Sequence, residues 1–119
     1  MNREELERFI ESRYGVGGER LFHRYPTFRV YRHGHNRKWF AVLMDISGKK
    51  IGLGEGIVSV VNLKCHRDMT DYLWQEAGIF PAYHMNKEHW ITCLLDGSVP
   101  SERVVGLLAS SFLLTGGYQ

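Results

Sequence analysis

Apolar residues near the start of the chain recur with the spacing of one helical face. The positions that follow the i, i+3, i+4, i+8 pattern are Leu6, Phe9, Ile10 and Tyr14. Charged residues fill most positions between them, and three glycines follow within residues 15–18, where a helix is expected to stop. The pattern therefore predicts an amphipathic helix over residues 3–14.

Apolar residues in the middle of the chain alternate or run continuously, which is typical of β-strands. The predicted strands are residues 28–32, 39–44, 50–53 and 57–63. The segment HGHNR between the first two contains the Gly and Asn that a hairpin loop needs, so we expect these two strands to pair. The segment GLGEG at residues 52–56 lacks the pattern of a phosphate-binding glycine loop and is interpreted as a β-turn.

The second half of the chain returns to helical spacing. A second helix is predicted from Met69 to Ala77, with Gly78 as its stop signal. A further strand covers residues 89–95, and Pro100 opens a final helix. Its shared face contains Val104, Leu107, Leu108, Ser111 and Phe112. The resulting order, αββββαβα, predicts an α+β sandwich in which one antiparallel sheet has helices packed on one face.

Composition favours one globular domain over residues 1–119. With 44% hydrophobic and 13% aromatic residues, the 119-residue chain is too apolar to be disordered. Its N-terminus mixes acidic and basic residues, unlike a signal peptide, and no apolar run approaches the roughly 18 residues of a membrane span. We therefore expect a cytoplasmic protein that is not bound to a membrane.

Residues with catalytic or metal-binding chemistry are few. His84 and His89 are five positions apart, a spacing that neither a helix nor a strand directs at one ion, so a structural role in a loop is favoured. Cys65 and Cys93 lack CxxC spacing and are expected to be buried, reduced thiols. A nucleophilic cysteine beside His66 stays open as an alternative, although no third residue is evident that would orient the histidine. We predict no catalytic residue, no metal and no cofactor.

The net charge of +2 conceals a local excess of positive charge. Residues 20–44 contain no acidic residue and six basic ones, namely Arg20, Arg24, Arg29, Arg32, Arg37 and Lys38. Four of the six fall on the predicted hairpin or at its ends, with Tyr31 among them. His33 and His35 lie in the same hairpin and are expected to add positive charge below about pH 6.5.

A basic hairpin is a structure that can lie along a phosphate backbone or enter a DNA groove. Arg29 and Tyr31 alternate with Phe28 and Val30, so we expect these two side chains to project away from the core. In the later segment PAYHMNKEHW, the pair Asn86-Lys87 offers an amide and a mobile charge for a second contact.

Several segments resemble the MmcQ/YjbR family of small bacterial proteins. They are KWFAVLMD at residues 38–45, VNLKC at 61–65, AGIFPAYHMNK at 77–87, ITCLLDG at 91–97 and SSFLLT at 110–115. The resemblance covers nearly the whole chain, and it implies a frataxin-like (CyaY-like) sandwich, also described as double-wing, with a DNA-binding function. The loop before residue 38 is more basic here than in many relatives, which carry an acidic residue near the first hairpin. This difference favours DNA binding in the present chain.

These observations predict a non-enzymatic DNA-binding module that contacts mainly phosphates. The predicted contact residues are Arg29, Tyr31, Arg32, His33, His35, Arg37, Lys38, Asn86 and Lys87. The alternative is a protein–protein interaction adaptor that uses the same exposed surface, in which case the partner is a protein rather than DNA.

Overall fold

The first helix has the bounds that its hydrophobic spacing predicts. The computed structural model describes residues 1–116, and in it α1 spans Arg3–Tyr14. The Asn2 side chain accepts a hydrogen bond from the Glu5 amide, and the Glu5 carboxylate accepts one from the Asn2 amide, each at 2.9 Å. This reciprocal cap satisfies two amides that the first turn leaves without partners. Gly15 ends the helix at φ 70°, in the left-handed region that favours glycine.

Five strands form one antiparallel sheet in the order β1-β2-β3-β5-β4. The strands are β1 (Arg29–Arg32), β2 (Trp39–Ser47), β3 (Ile57–Lys64), β4 (Ile79–Pro81) and β5 (Trp90–Leu94). The predicted hairpin is confirmed, because β1 pairs with β2. The register of this pair shifts between Tyr31 and Arg32. At the end of the sheet where β1 turns into β2, Lys64 of β3 pairs with Trp90 of β5.

The strand predicted over residues 50–53 is wrong. Gly48–Ile51 forms a 3₁₀ turn, in which the Leu53 amide donates to the Gly48 carbonyl at 2.8 Å. Gly52, Gly54 and Gly56 all have positive φ values, between 77° and 99°. Backbone in this region does not continue a strand, so the apolar residues between the glycines cannot form one. Residues 52–56, for which a β-turn is predicted, form the loop that connects this 3₁₀ turn to β3.

Two further differences from the prediction lie between β3 and β5. The second helix is shorter than expected, with a 3₁₀ turn at Arg67–Met69 followed by α2 at Thr70–Leu73. The chain then reaches β4, which the sequence pattern did not reveal because it has three residues and ends at Pro81. A proline lacks the amide that a central strand requires, and β4 accordingly lies at the edge of the sheet.

The two faces of the sheet are covered in different ways. On one face, α1 and α3 (Ser101–Thr115) pack their apolar residues against the sheet, with Leu6, Ile10 and Leu108 fully buried. On the other face, the cover consists of three segments without α-helix, residues 20–28, 48–53 and 80–87. The predicted fold class is confirmed: the protein is α+β, with one antiparallel sheet and helices on one face. None of the helices in residues 1–116 has the length and hydrophobicity needed to span a membrane.

Candidate nucleic-acid interface

The turn between β1 and β2 is anchored to the C-terminal end of α3. His33 Nε2 lies 2.9 Å from the Thr115 hydroxyl, and His35 Nε2 lies 2.6 Å from the Gly116 carbonyl oxygen. The side-chain amide of Asn36 donates to the Thr115 carbonyl at 2.8 Å. The last carbonyls of a helix have no partner within the helix, so side chains of the hairpin turn supply the missing donors. This capping role was not foreseen, because it depends on which helix end meets the turn.

His33 is a buried, neutral residue of this anchor. Only 4% of the residue is exposed. The Thr115 hydroxyl donates to the Ser111 carbonyl at 2.7 Å, so His33 Nε2 is the donor in its bond to Thr115. Burial, and to a lesser degree the neighbouring His35, lowers the pKa of His33. The expectation that His33 presents positive charge to DNA at mildly acidic pH is therefore wrong.

Tyr31 is also buried, and the expectation that it projects from the core is wrong. It is 1% exposed and packs in the core beneath α1. Burial, followed by the charges of Glu7 and Glu11, raises the pKa of Tyr31 to about 12. At Gly18, an added Cβ would lie 2.9 Å from the Tyr31 ring and hydroxyl, so only glycine permits this approach. The alternating pattern correctly predicts that Tyr31 and Val30 lie on opposite faces of the sheet. However, α1 covers the face on which Tyr31 lies.

Arg29 and Arg32 are held by partners within the protein. Arg32 donates through Nε and Nη2 to both carboxylate oxygens of Glu19, at 2.7 and 2.8 Å. Arg29 Nη1 donates to the carbonyls of Pro26 and Phe28, at 2.6 and 3.0 Å. The Arg32–Glu19 ion pair is bidentate and only partly exposed, since the Arg32 side chain is 22% accessible. These two arginines are thus less available to a ligand than the sequence suggested.

The remaining predicted residues are exposed. Arg37 and Lys38 lie at the end of the hairpin turn, and Asn86 and Lys87 lie in the loop between β4 and β5, residues 82–89. Within residues 1–116, the side chains of Arg37, Lys38 and Lys87 make no hydrogen bond or ion pair. We call the exposed surface formed by Arg37, Lys38, Asn86 and Lys87 the basic end.

Strand register places both parts of the basic end at the same end of the sheet. Arg32 pairs with Trp39 where β1 turns into β2, and Lys64 pairs with Trp90 where residues 82–89 enter β5. Three interstrand spacings of about 4.8 Å separate the two hairpin loops, or about 14 Å in total. This distance corresponds to about four nucleotides at a rise of roughly 3.4 Å per nucleotide.

A buried polar network fixes the loop that carries Asn86 and Lys87. Asn62 accepts a hydrogen bond from the Thr92 hydroxyl at 2.6 Å and donates one to the Tyr83 carbonyl at 2.8 Å. The Tyr83 amide in turn donates to the Thr92 hydroxyl at 2.8 Å. Asn62 and Thr92 are both 0% exposed. Buried polar groups of this kind are costly unless they are paired, so the network holds Tyr83 in one position.

The charged residues near the loop of residues 82–89 do not cancel the positive charge of Lys87. Lys64 Nζ lies 5.8 Å from the centre of the Trp90 ring, within the range of a cation–π contact. The acidic residue of the loop, Glu88, lies 3.6 Å from the guanidinium of Arg67. Because this pair offsets the Glu88 charge, Lys87 adds a net positive charge to the loop.

The histidines and cysteines occupy structural positions. His84 is exposed, has φ 61° and packs against the Tyr83 ring at 4.0 Å, whereas the His89 carbonyl accepts a bond from the Cys65 amide. In residues 1–116 no three His, Cys, Asp or Glu side chains cluster as metal ligands. Burial raises the pKa of the Cys65 thiol to about 11 and that of Cys93 to about 12. Both thiols are therefore protonated at neutral pH, which makes them poor nucleophiles.

The fold and the basic end together define a class: a small α+β sandwich with one helix-covered face and exposed cations at one end of its sheet. The chain belongs to the YjbR family, whose sequence pattern matches residues 3–114. The resemblance noted in the sequence is thereby confirmed.

Related proteins share both sequence and structure with this chain. It is 34% identical to the Bacillus subtilis protein YyaQ over 116 residues, covering 97% of this chain and 98% of YyaQ. A crystal structure of a Pseudomonas syringae protein has 40% identity and a TM-score of 0.95, covering 97% of this chain and 99% of that one. A Deinococcus radiodurans structure shares the fold at a TM-score of 0.74 and 23% identity, covering 98% of this chain and 79% of that one.

Proposed function

We propose that the protein is a non-enzymatic DNA-binding module that holds the phosphate backbone at its basic end. The observation that carries the proposal is the strand register, which brings Arg37, Lys38 and Lys87 to one end of the sheet with no partner for their charges in residues 1–116. Exposed cations of this kind attract phosphates and release counterions on binding. Asn86 lies beside Lys87 and can donate to a phosphate oxygen.

The proposed contacts are a revised set of those expected from sequence. Arg29 and Arg32 are assigned structural roles because their guanidinium groups already bond to Pro26, Phe28 and Glu19. Tyr31 is excluded by burial. The four residues of the basic end lie in loops and not on a helix that could enter a major groove, so the proposed affinity comes from contacts to DNA phosphates and is insensitive to base sequence.

The test is the salt dependence of binding to labelled duplexes of two unrelated sequences, followed by fluorescence anisotropy between about 50 and 200 mM salt. Arg37→Ala, Lys38→Ala and Lys87→Ala should each weaken binding to both duplexes alike and flatten the slope of log K against log salt by about 0.9. The matched control is Arg8→Ala, which removes the same charge from the exposed surface of α1. The proposal is overturned if Arg8→Ala has the same effect, or if the wild type binds neither duplex near 50 mM salt.

A protein–protein adaptor is the second candidate. The sequence predicted it on the basic surface, but the exposed apolar residues that favour it lie on the helical side. Tyr72 of α2 is 68% exposed and Leu113 of α3 is 65% exposed. A hollow of about 130 Å³, lined by Met69 and Leu114 among others, lies between these two helices. Such a surface suits an apolar partner. Tyr72→Ser would impair this function and leave DNA binding unchanged.

A further inference from the structure

A pocket lined by aromatic rings lies on the face of the sheet that has no helices. It measures about 220 Å³ and is bounded by the sheet and by residues 22–28 and 83–85. The rings in its wall belong to Phe22, Tyr25, Phe28, Trp39, Tyr83 and His84. We call it the aromatic pocket. Most ligand pockets are apolar concavities with a few polar groups, and this one has the buried amide of Asn62 among its lining residues.

The rings that line the aromatic pocket pack against one another in stacked and edge-to-face arrangements. Tyr25 and Phe28 are stacked, with centroids 4.7 Å apart and planes inclined by 20°. Phe22 packs edge-on against Trp39 at 5.9 Å and against Phe28 at 5.7 Å. Tyr25 is 42% exposed, so its ring is accessible at the mouth of the pocket. The exposed part of the Tyr25 ring therefore offers an aromatic surface on which a planar ring of a ligand can stack.

A second hollow adjoins the aromatic pocket and has a different character. It measures about 270 Å³, shares Tyr83 and His84 with the aromatic pocket, and is also lined by Lys50 and Lys87. Neither lysine side chain has a hydrogen-bond or ion-pair partner within residues 1–116. No carboxylate is among the described residues that line the two hollows. A site for a neutral planar ring thus lies beside a site for an anion.

We propose that the two hollows together bind one unpaired nucleotide of a single-stranded nucleic acid. The base stacks in the aromatic pocket, and its phosphate lies between Lys50 and Lys87. This inference rests on the proposed function, because Lys87 belongs to the basic end and Trp39 directly follows Lys38. Trp39 lines the aromatic pocket and Lys87 lines the second hollow, so a nucleic-acid strand held at the basic end lies beside both hollows. A base paired in a duplex cannot enter, so single strands bind more tightly than duplexes at the same salt concentration.

The experiment compares a fluorescein-labelled oligothymidine with a duplex of equal length, using wild-type protein and ring-deletion variants. Tyr25→Leu should weaken single-strand binding by about 5-fold to 150-fold, the range that stacking of one base provides, and should leave duplex binding unchanged. Tyr25→Phe should retain the affinity. The matched control is Tyr72→Leu, which removes an exposed tyrosine on the helical side and should have no effect.

The outcomes separate this inference from the proposed function. If Lys38→Ala weakens binding to both DNA forms but Tyr25→Leu weakens neither, the pocket assignment is overturned and the basic end stands. If the wild type binds neither form, both proposals fail. Deoxythymidine monophosphate should compete with the oligonucleotide only weakly, and competition as strong as that of the oligonucleotide itself overturns the assignment to a nucleic-acid strand. Dissociation of a dimer by Tyr25→Leu would instead make the pocket a contact between two copies of the chain.

Discussion

Removal of the Asn62 side chain is the sharpest perturbation of the site's scaffold. Asn62→Ala removes the oxygen that accepts a hydrogen bond from the Thr92 hydroxyl at 2.6 Å and the amide that donates to the Tyr83 carbonyl at 2.8 Å. Asn62 and Thr92 are both 0% exposed. The Tyr83 carbonyl then has no partner in this network. The loop of residues 82–89 loses the bond that fixes it to β3.

The expected loss of stability follows from those two bonds. Each contributes about 1 kcal/mol net, and a buried polar group left unpaired costs about 1–3 kcal/mol. We therefore expect Asn62→Ala to lower the free energy of unfolding by about 3 kcal/mol. This is a large part of the roughly 5–15 kcal/mol that stabilises a typical domain. The melting temperature should fall by roughly 10 °C or more.

The assay is urea unfolding of the wild type, Asn62→Ala, Thr92→Val and the double variant. Thr92→Val preserves shape and removes the hydroxyl that donates to Asn62. Because the two single variants break the same bond, the double variant should cost about 1 kcal/mol less than the sum of the two. Additivity within about 0.5 kcal/mol, or a cost of Asn62→Ala below about 1 kcal/mol, would refute the reasoning.

Three further predictions concern the structure around the site. Ser111→Ala should destabilise the fold by about 2 kcal/mol in urea unfolding, because the Ser111 hydroxyl donates to the Phe40 carbonyl and accepts from the Lys64 amide; a cost below about 0.5 kcal/mol would contradict this. The lowered pKa of His33 means that the unfolded chain binds protons first as the pH falls below about 6.5. Its contribution to stability is present above that pH and is lost as the pH falls through the folded-state pKa. His33→Gln should flatten this part of the stability profile, and an unchanged profile would be inconsistent with a buried neutral ring. Cys93 should react with iodoacetamide far more slowly in the native protein than in urea at pH 7.5, and equal rates would contradict its burial.

Periodicity in the sequence predicted the elements that make long, regular contacts with the core. The spacing of Leu6, Ile10 and Tyr14 gave the bounds of α1, and the apolar run after Lys38 located β2. The failure at residues 50–53 has a local cause, because the positive φ values of the glycines override the apolar pattern. The three-residue β4 has too few positions to show any period, and it is defined by its pairing with β5.

The site could be predicted only in part, since sequence shows alternation but not what covers each face. Of the residues predicted to contact DNA, Arg37, Lys38, Asn86 and Lys87 are exposed and remain candidates. Tyr31 alternates as predicted but lies under α1, and His33 meets the end of α3, a contact 82 positions away in the chain. The aromatic pocket is formed by segments distant in sequence, which explains why Asn62 and Tyr25 carried no recognisable signal.

The most direct test of the DNA-binding proposal is an amide chemical-shift titration of the ¹⁵N-labelled protein with a short duplex near 50 mM salt. Binding at the basic end predicts progressive shifts confined mainly to residues 33–39 and 82–90, with α1 and the outer surface of α2 unaffected. The absence of shifts, or shifts concentrated around Tyr72 and Leu113, would contradict the account and leave the adaptor function in its place.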